Sequence, residues 1–102
     1  MRPVTLTTSN ASGGTVNSST CPMDYNPSVA FNVGILCVVS GTVTYSIQHS
    51  NDNVNWFQDA NINGATANAE TNYMFPVKYI RLQQTAGSGS VTATLIQAGP
   101  GR

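Results

Sequence analysis

Apolar and polar positions alternate with a period of two along most of this chain, as in strands with one face buried. Val4 and Leu6 alternate with threonines and predict a first strand. Phe31–Val39 alternates at first and then becomes continuously apolar, the pattern of a central strand covered on both faces at one end. After Ser40-Gly41 the alternation resumes over Thr42–His49, with Val43, Tyr45 and Ile47 on one face and Thr44, Ser46 and Gln48 on the other. These two segments, joined by two turn residues, read as a hairpin. Cys21–Tyr25 predicts a short extended segment that Asn26-Pro27 ends. Val77–Leu82 and Val91–Gln97 predict the last strands, and Asp59–Asn72 leaves room for one short edge strand near Ala60–Ile62.

Punctuation follows the same logic. Gly13-Gly14, Ser40-Gly41 and Ala86–Ser90 mark turns. No segment carries a helical period free of Gly, Pro or β-branched interruption. About seven short strands with closely spaced turn signals predict an all-β fold, a single antiparallel β-sandwich of Ig-like or jelly-roll-like type. One domain is expected over residues 1–102, with a flexible loop at 10–20 and a short tail at 99–102.

Composition narrows the function classes. Of the 102 residues only 8% are charged, the formal net charge is zero, and Ser, Thr and Asn make up about a third. Nucleic-acid binding needs clustered Lys and Arg to displace counterions, so such a partner is not expected. Neither is an electrostatic membrane anchor, and no apolar run approaches the ~20 residues of a membrane-spanning helix. The N-terminal residues lack the apolar core of a signal peptide. Cys21 and Cys37 are too few for a disulfide scaffold and match no zinc spacing, so reduced structural thiols are expected. Asn10-Ala11-Ser12 and Asn17-Ser18-Ser19 match glycosylation sequons, which a chain this rich in Asn and Ser produces by chance.

Candidate chemistry gathers in Tyr45–Trp56, which holds the single His, the single Trp and a cluster of Asn and Asp. Asn51, Asn53 and Asn55 have the alternate spacing of a calcium loop. That loop needs early carboxylates, a Gly at its sixth position and a Glu at its twelfth, where this chain has Trp56 and Ile62. No metal or other cofactor is expected. His49 has no nucleophile motif beside it, and Asp24, Asp52, Asp59 and Glu70 form no sequence-close pair, so no catalytic residue is expected. Ser50–Asn53 is turn chemistry, which makes Trp56 the expected core anchor of the returning strand. Interface or ligand-edge candidates are Arg2, Phe57, Tyr73 and Arg81. Trp56, Phe57, Tyr73 and Phe75 could together form a sugar-stacking edge, with Phe57 the better exposed member of the Trp56-Phe57 pair. Arg81, between Ile80 and Leu82, is the cation best placed for a specific contact.

The order of these segments resembles a known group. It comprises Arg2–Thr5, Met23–Tyr25, Phe31–Gly34 running into Val38–His49, Asn68-Ala69, Tyr73–Val77, Ile80–Leu82 and Thr92–Ala98. Together they are similar to small head-associated virion proteins of tailed bacteriophages. Separately, Ser50–Trp56 resembles a Ser-x-Asp-Gly-x-x-Trp hairpin of phage and carbohydrate-binding sandwiches, with Asn53 where Gly is usual. The first resemblance implies a capsid decoration, or cement, protein without an active site. Such proteins bind the major capsid protein on the outside of the head, often as trimers, and stabilise the shell. The expected location is the outer capsid surface of the virion, and the host cytoplasm during assembly. The alternative reading is a glycan-binding β-sandwich module of a phage tail or fibre.

Overall fold

The computed structural model describes residues 4–9, 14–23, 32–74 and 77–97. Nine strands form two packed antiparallel sheets: β1 (Val4–Ser9), β2 (Val16–Asn17), β3 (Cys21–Pro22), β4 (Val33–Ser40), β5 (Thr44–Ser50), β6 (Phe57–Ala65), β7 (Ala69–Tyr73), β8 (Tyr79–Ala86) and β9 (Ser90–Gln97). One sheet has the order β1-β9-β4-β7. The other has the order β2-β8-β5-β6, with β3 also paired to β8. The fold is therefore all-β, a β-sandwich as expected, and no helix lies among the described residues.

Alternation places the core. Leu6, Val33, Ile35, Cys37, Val91, Ala93 and Leu95 point inward from the four-stranded sheet, and Tyr45, Ile47, Ile62, Ile80 and Leu82 meet them from the other. The largest fully buried side chains are Tyr45 and Tyr73. The Tyr45 hydroxyl donates to the Ala67 carbonyl at 2.6 Å, so this buried phenol meets a partner in the β6–β7 connection. Trp56 is only half-buried and precedes β6, so the expected Trp anchor is replaced by two tyrosines.

The expected β4–β5 hairpin does not form. β4 pairs with β9 and β7, whereas β5 pairs with β8 and β6 in the opposite sheet. Residues 41–43 cross between the sheets, helped by Gly41 at φ 84°. The 87–89 turn packs against this crossing: the Gly89 N–H donates to the Thr42 carbonyl at 3.0 Å. A Cβ on Gly87, itself at φ 91°, would collide with the Thr42 backbone. Buried Gln84 fixes the same turn by donating from Nε2 to the carbonyls of Gly87 (3.0 Å) and Gly89 (3.1 Å).

Two further expectations change. Part of the expected 10–20 loop is strand: β2 pairs with β8, and the Ser18 N–H donates to the Leu82 carbonyl at 2.8 Å. This segment covers an edge of β8 that would otherwise be open to pairing. The short edge strand expected near Ala60–Ile62 is the nine-residue β6. Its register against β5 shifts between Ser46 and Gln48, where Asp59–Ile62 stand opposite Ile47 alone. The Asp59 carboxylate closes that bulge by accepting the N–H groups of Asn61 (2.9 Å) and Ile62 (2.8 Å).

Candidate functional site

Two surfaces present unusual side chains. The first is the β5–β6 turn. The Ser50 hydroxyl accepts the N–H groups of Asp52 (3.2 Å) and Asn53 (2.9 Å) and donates to Asp52 Oδ1 (2.9 Å). Asp52 in turn accepts the N–H groups of Val54 (2.9 Å) and Asn55 (2.8 Å) and the Asn55 side-chain amide (2.7 Å). These donors, led by the Asn55 N–H, hold the Asp52 carboxyl well below the usual carboxylate range. Asn53 takes the left-handed conformation at φ 62°, the place where the resembling hairpin carries Gly. Asn51 Oδ1 accepts the Lys78 N–H at 3.0 Å and ties the turn to the start of β8. Turn chemistry thus accounts for the Asn and Asp cluster. Among the described residues no group of three His, Cys, Asp or Glu side chains comes together for a metal ion.

Beyond the turn the chain brings four rings and a guanidinium together. Arg81 alternates with the buried Ile80 and Leu82 and so faces outward from the five-stranded sheet. Its guanidinium carbon lies 4.1 Å from the Trp56 ring centroid, and its Nε donates to Gln48 Oε1 at 2.7 Å. Gln48 continues the row to Gln83 (3.3 Å), which donates to Asn17 (2.9 Å). Phe57 is 63% exposed, and the His49 ring stacks on it at 6.2 Å and 28°. His49 Nδ1 lies 3.1 Å from the Tyr73 hydroxyl, with the two rings edge to face at 5.2 Å. Burial holds the His49 pKa below its usual value, against an opposing pull from Asp59. Burial, reinforced by Asp59, pushes the Tyr73 phenol above its usual range and keeps it protonated. Around the turn and the Phe57 ring the surface is concave, an open cleft of about 580 Å³.

The four sequence candidates therefore separate. Phe57 and Arg81 sit on either side of the Trp56 corner. Tyr73 is 1% exposed and belongs to the core, because it ends β7 on an inward position. It offers no edge to a ligand. Arg2 and Phe75 lie outside the described residues.

The second surface went unrecognised in the sequence. Leu36, Val38 and Ile96 are 53%, 56% and 50% exposed. They share the outer face of the four-stranded sheet, where β4 and β9 pair Leu36 with Thr94, Val38 with Thr92 and Gly34 with Ile96. Thr5 and Thr7 extend this face on β1, and Glu70 and Asn72 on β7. Glu70 is its one charge among the described residues. The continuous apolar run in β4 was the available signal. It marks a strand with apolar side chains on both faces, and only the inner face is covered by the described residues.

No family model matches the chain, and no curated protein matches its sequence. Among solved structures, the chain is similar to a chain of infectious bursal disease virus, Gx strain, at 17% identity. That alignment covers 98% of this protein and 33% of the viral chain, with a TM-score of 0.41. A chain of the Gt strain aligns at 17% identity over 91% and 32%, with a TM-score of 0.37. The protein spans about a third of the length of the solved chains it matches.

Proposed function

We propose that the protein is a non-enzymatic virion structural protein that decorates the outer surface of a phage head and stabilises it. The observation that carries this reading is the outer face of the four-stranded sheet. Leu36, Val38 and Ile96 stand exposed among threonines there, on a strand whose pattern calls for cover on both sides. A face of this kind, apolar and hydroxyl-lined with Glu70 as its one charge among the described residues, suits docking on a large protein surface. The resemblance to head-associated phage proteins supplies the partner, the major capsid protein.

Size supports many-copy attachment. Four strands ~4.8 Å apart, of six, eight, five and eight residues, give a face of roughly 400 Å². A standard stable interface needs about 800 Å² on each partner. One such contact is weak, and linking copies in a homo-oligomer, for example a trimer, multiplies its strength through avidity.

Co-sedimentation with mature heads of the virus encoding the chain tests the reading. Saturable binding is expected at on the order of hundreds of copies per head. Leu36→Asp and Val38→Asp should abolish it while changing stability by under ~0.5 kcal/mol, as exposed substitutions do. Absence of binding, or binding indifferent to both variants, overturns the proposal.

A further inference from the structure

We propose that the open cleft beside the β5–β6 turn is a binding site for a neutral sugar, taking the apolar face of one pyranose ring on Phe57 and its hydroxyls on the neighbouring asparagine amides. This site is separate from the sheet face and independent of its role.

Four observations converge. The cleft, about 580 Å³, has the size of a small-ligand site and is lined by His49, Asn51, Asn55, Trp56 and Phe57 among others. Phe57 presents a largely exposed ring with the His49 ring stacked beside it. The amides are complementary: Asn51 uses its carbonyl oxygen on the Lys78 N–H, which leaves its NH₂ to donate. Asn55 uses its NH₂ on Asp52, which leaves its carbonyl oxygen to accept. One amide donor and one amide acceptor on residues lining the same cleft suit sugar hydroxyls, each able to accept and to donate.

The charge of the site selects the ligand class. Asp52, the only carboxylate in the lining, already accepts four internal hydrogen bonds. No Lys or Arg lines the cleft. An anionic ligand, including a nucleotide that could also stack on Phe57, would leave its charge uncompensated. A neutral ring with one C–H face and several hydroxyls fits all the groups present. The turn is fixed by its own hydrogen bonds, so little ordering cost attaches to binding.

Trp56, the only tryptophan, lines the cleft and reports on it. The experiment is a fluorescence titration of the whole protein with methyl glycosides of glucose, galactose, mannose and N-acetylglucosamine up to ~100 mM, with glycerol as the control. The cleft is shallow, so a saturable change with half-effect near ~1–10 mM is expected for at least one sugar. Phe57→Ala, at an exposed position that leaves folding intact, should weaken it about tenfold or more. In ¹⁵N-resolved spectra the side-chain amides of Asn51 and Asn55 should shift with the same midpoint. A response equal to that of glycerol, no saturable response to any of the sugars, or an unchanged response in Phe57→Ala overturns the proposal.

Discussion

Replacing Asp59 with Ala tests how the β6 bulge is held. Asp59 is only 5% exposed, and its carboxylate accepts two backbone N–H groups at 2.8 and 2.9 Å. Hydrogen bonds to a charged group contribute about 1.5–3 kcal/mol each. Asn61 is exposed, so its amide can turn to water once the carboxylate is gone. Ile62 is fully buried and its amide cannot, so it carries the larger part of the loss. The expected total is ~2–4 kcal/mol, a large share of the ~5–15 kcal/mol that stabilises a domain. With a urea slope of ~1–3 kcal/mol/M the unfolding midpoint should fall by roughly 1–2 M, read by Trp56 fluorescence and by circular dichroism together. Asp59→Asn keeps one acceptor oxygen and should lose about half as much. A loss below ~0.5 kcal/mol in Asp59→Ala would refute the reasoning, because the bulge would then hold without its cap.

Arg81→Ala removes both the Trp56 contact and the bond to Gln48; a cost of about 1 kcal/mol and a red-shifted Trp56 emission are expected in a urea titration. The Cys37 thiol is pushed up to about 11 from 9.0, mainly by burial, so the folded state holds a proton that the unfolded state releases. Its contribution is complete below pH 9 and lost between pH 9 and 11, so the urea midpoint should fall over that window and Cys37→Ala should flatten the fall. His49 runs the other way: its folded pKa lies below the ordinary 6.5, so its contribution is present above that value and declines as pH drops through it. A proton NMR titration should place its midpoint below 6.5, and a midpoint above 6.5 would contradict the buried placement.

Strand identity was legible where one face is apolar and the other polar. Val43, Tyr45 and Ile47 point inward as their alternation requires, and His49 follows them at the rim. Pairing was not legible. Ser40-Gly41 has the chemistry of a two-residue hairpin turn, yet the chain uses Gly41, at φ 84°, to change sheets, and β4 pairs with β9 while β5 pairs with β8. Trp56 was misplaced for a related reason. Bulk alone suggests burial, but Trp56 precedes the strand and finds a guanidinium on the outer face instead. Phe57 and Arg81 could be selected from the sequence because strand alternation exposes them. Tyr73 could not be told from them, since only the assembled sandwich shows that β7 ends pointing inward.

The pairing of β1 and β4 with β9 sets the order in which the protein can form. β9 lies at the centre of its sheet, between β1 and β4, yet it is the last described strand in the chain. A nascent chain lacking it would hold Leu6, Ile35 and Cys37 on strands with no common neighbour. High contact order of this kind makes folding slow, on the ms–s scale. Folding in the cell is therefore expected to wait for β9 to clear the ribosome, and a truncation before Ser90 should yield an aggregating chain rather than a smaller sandwich.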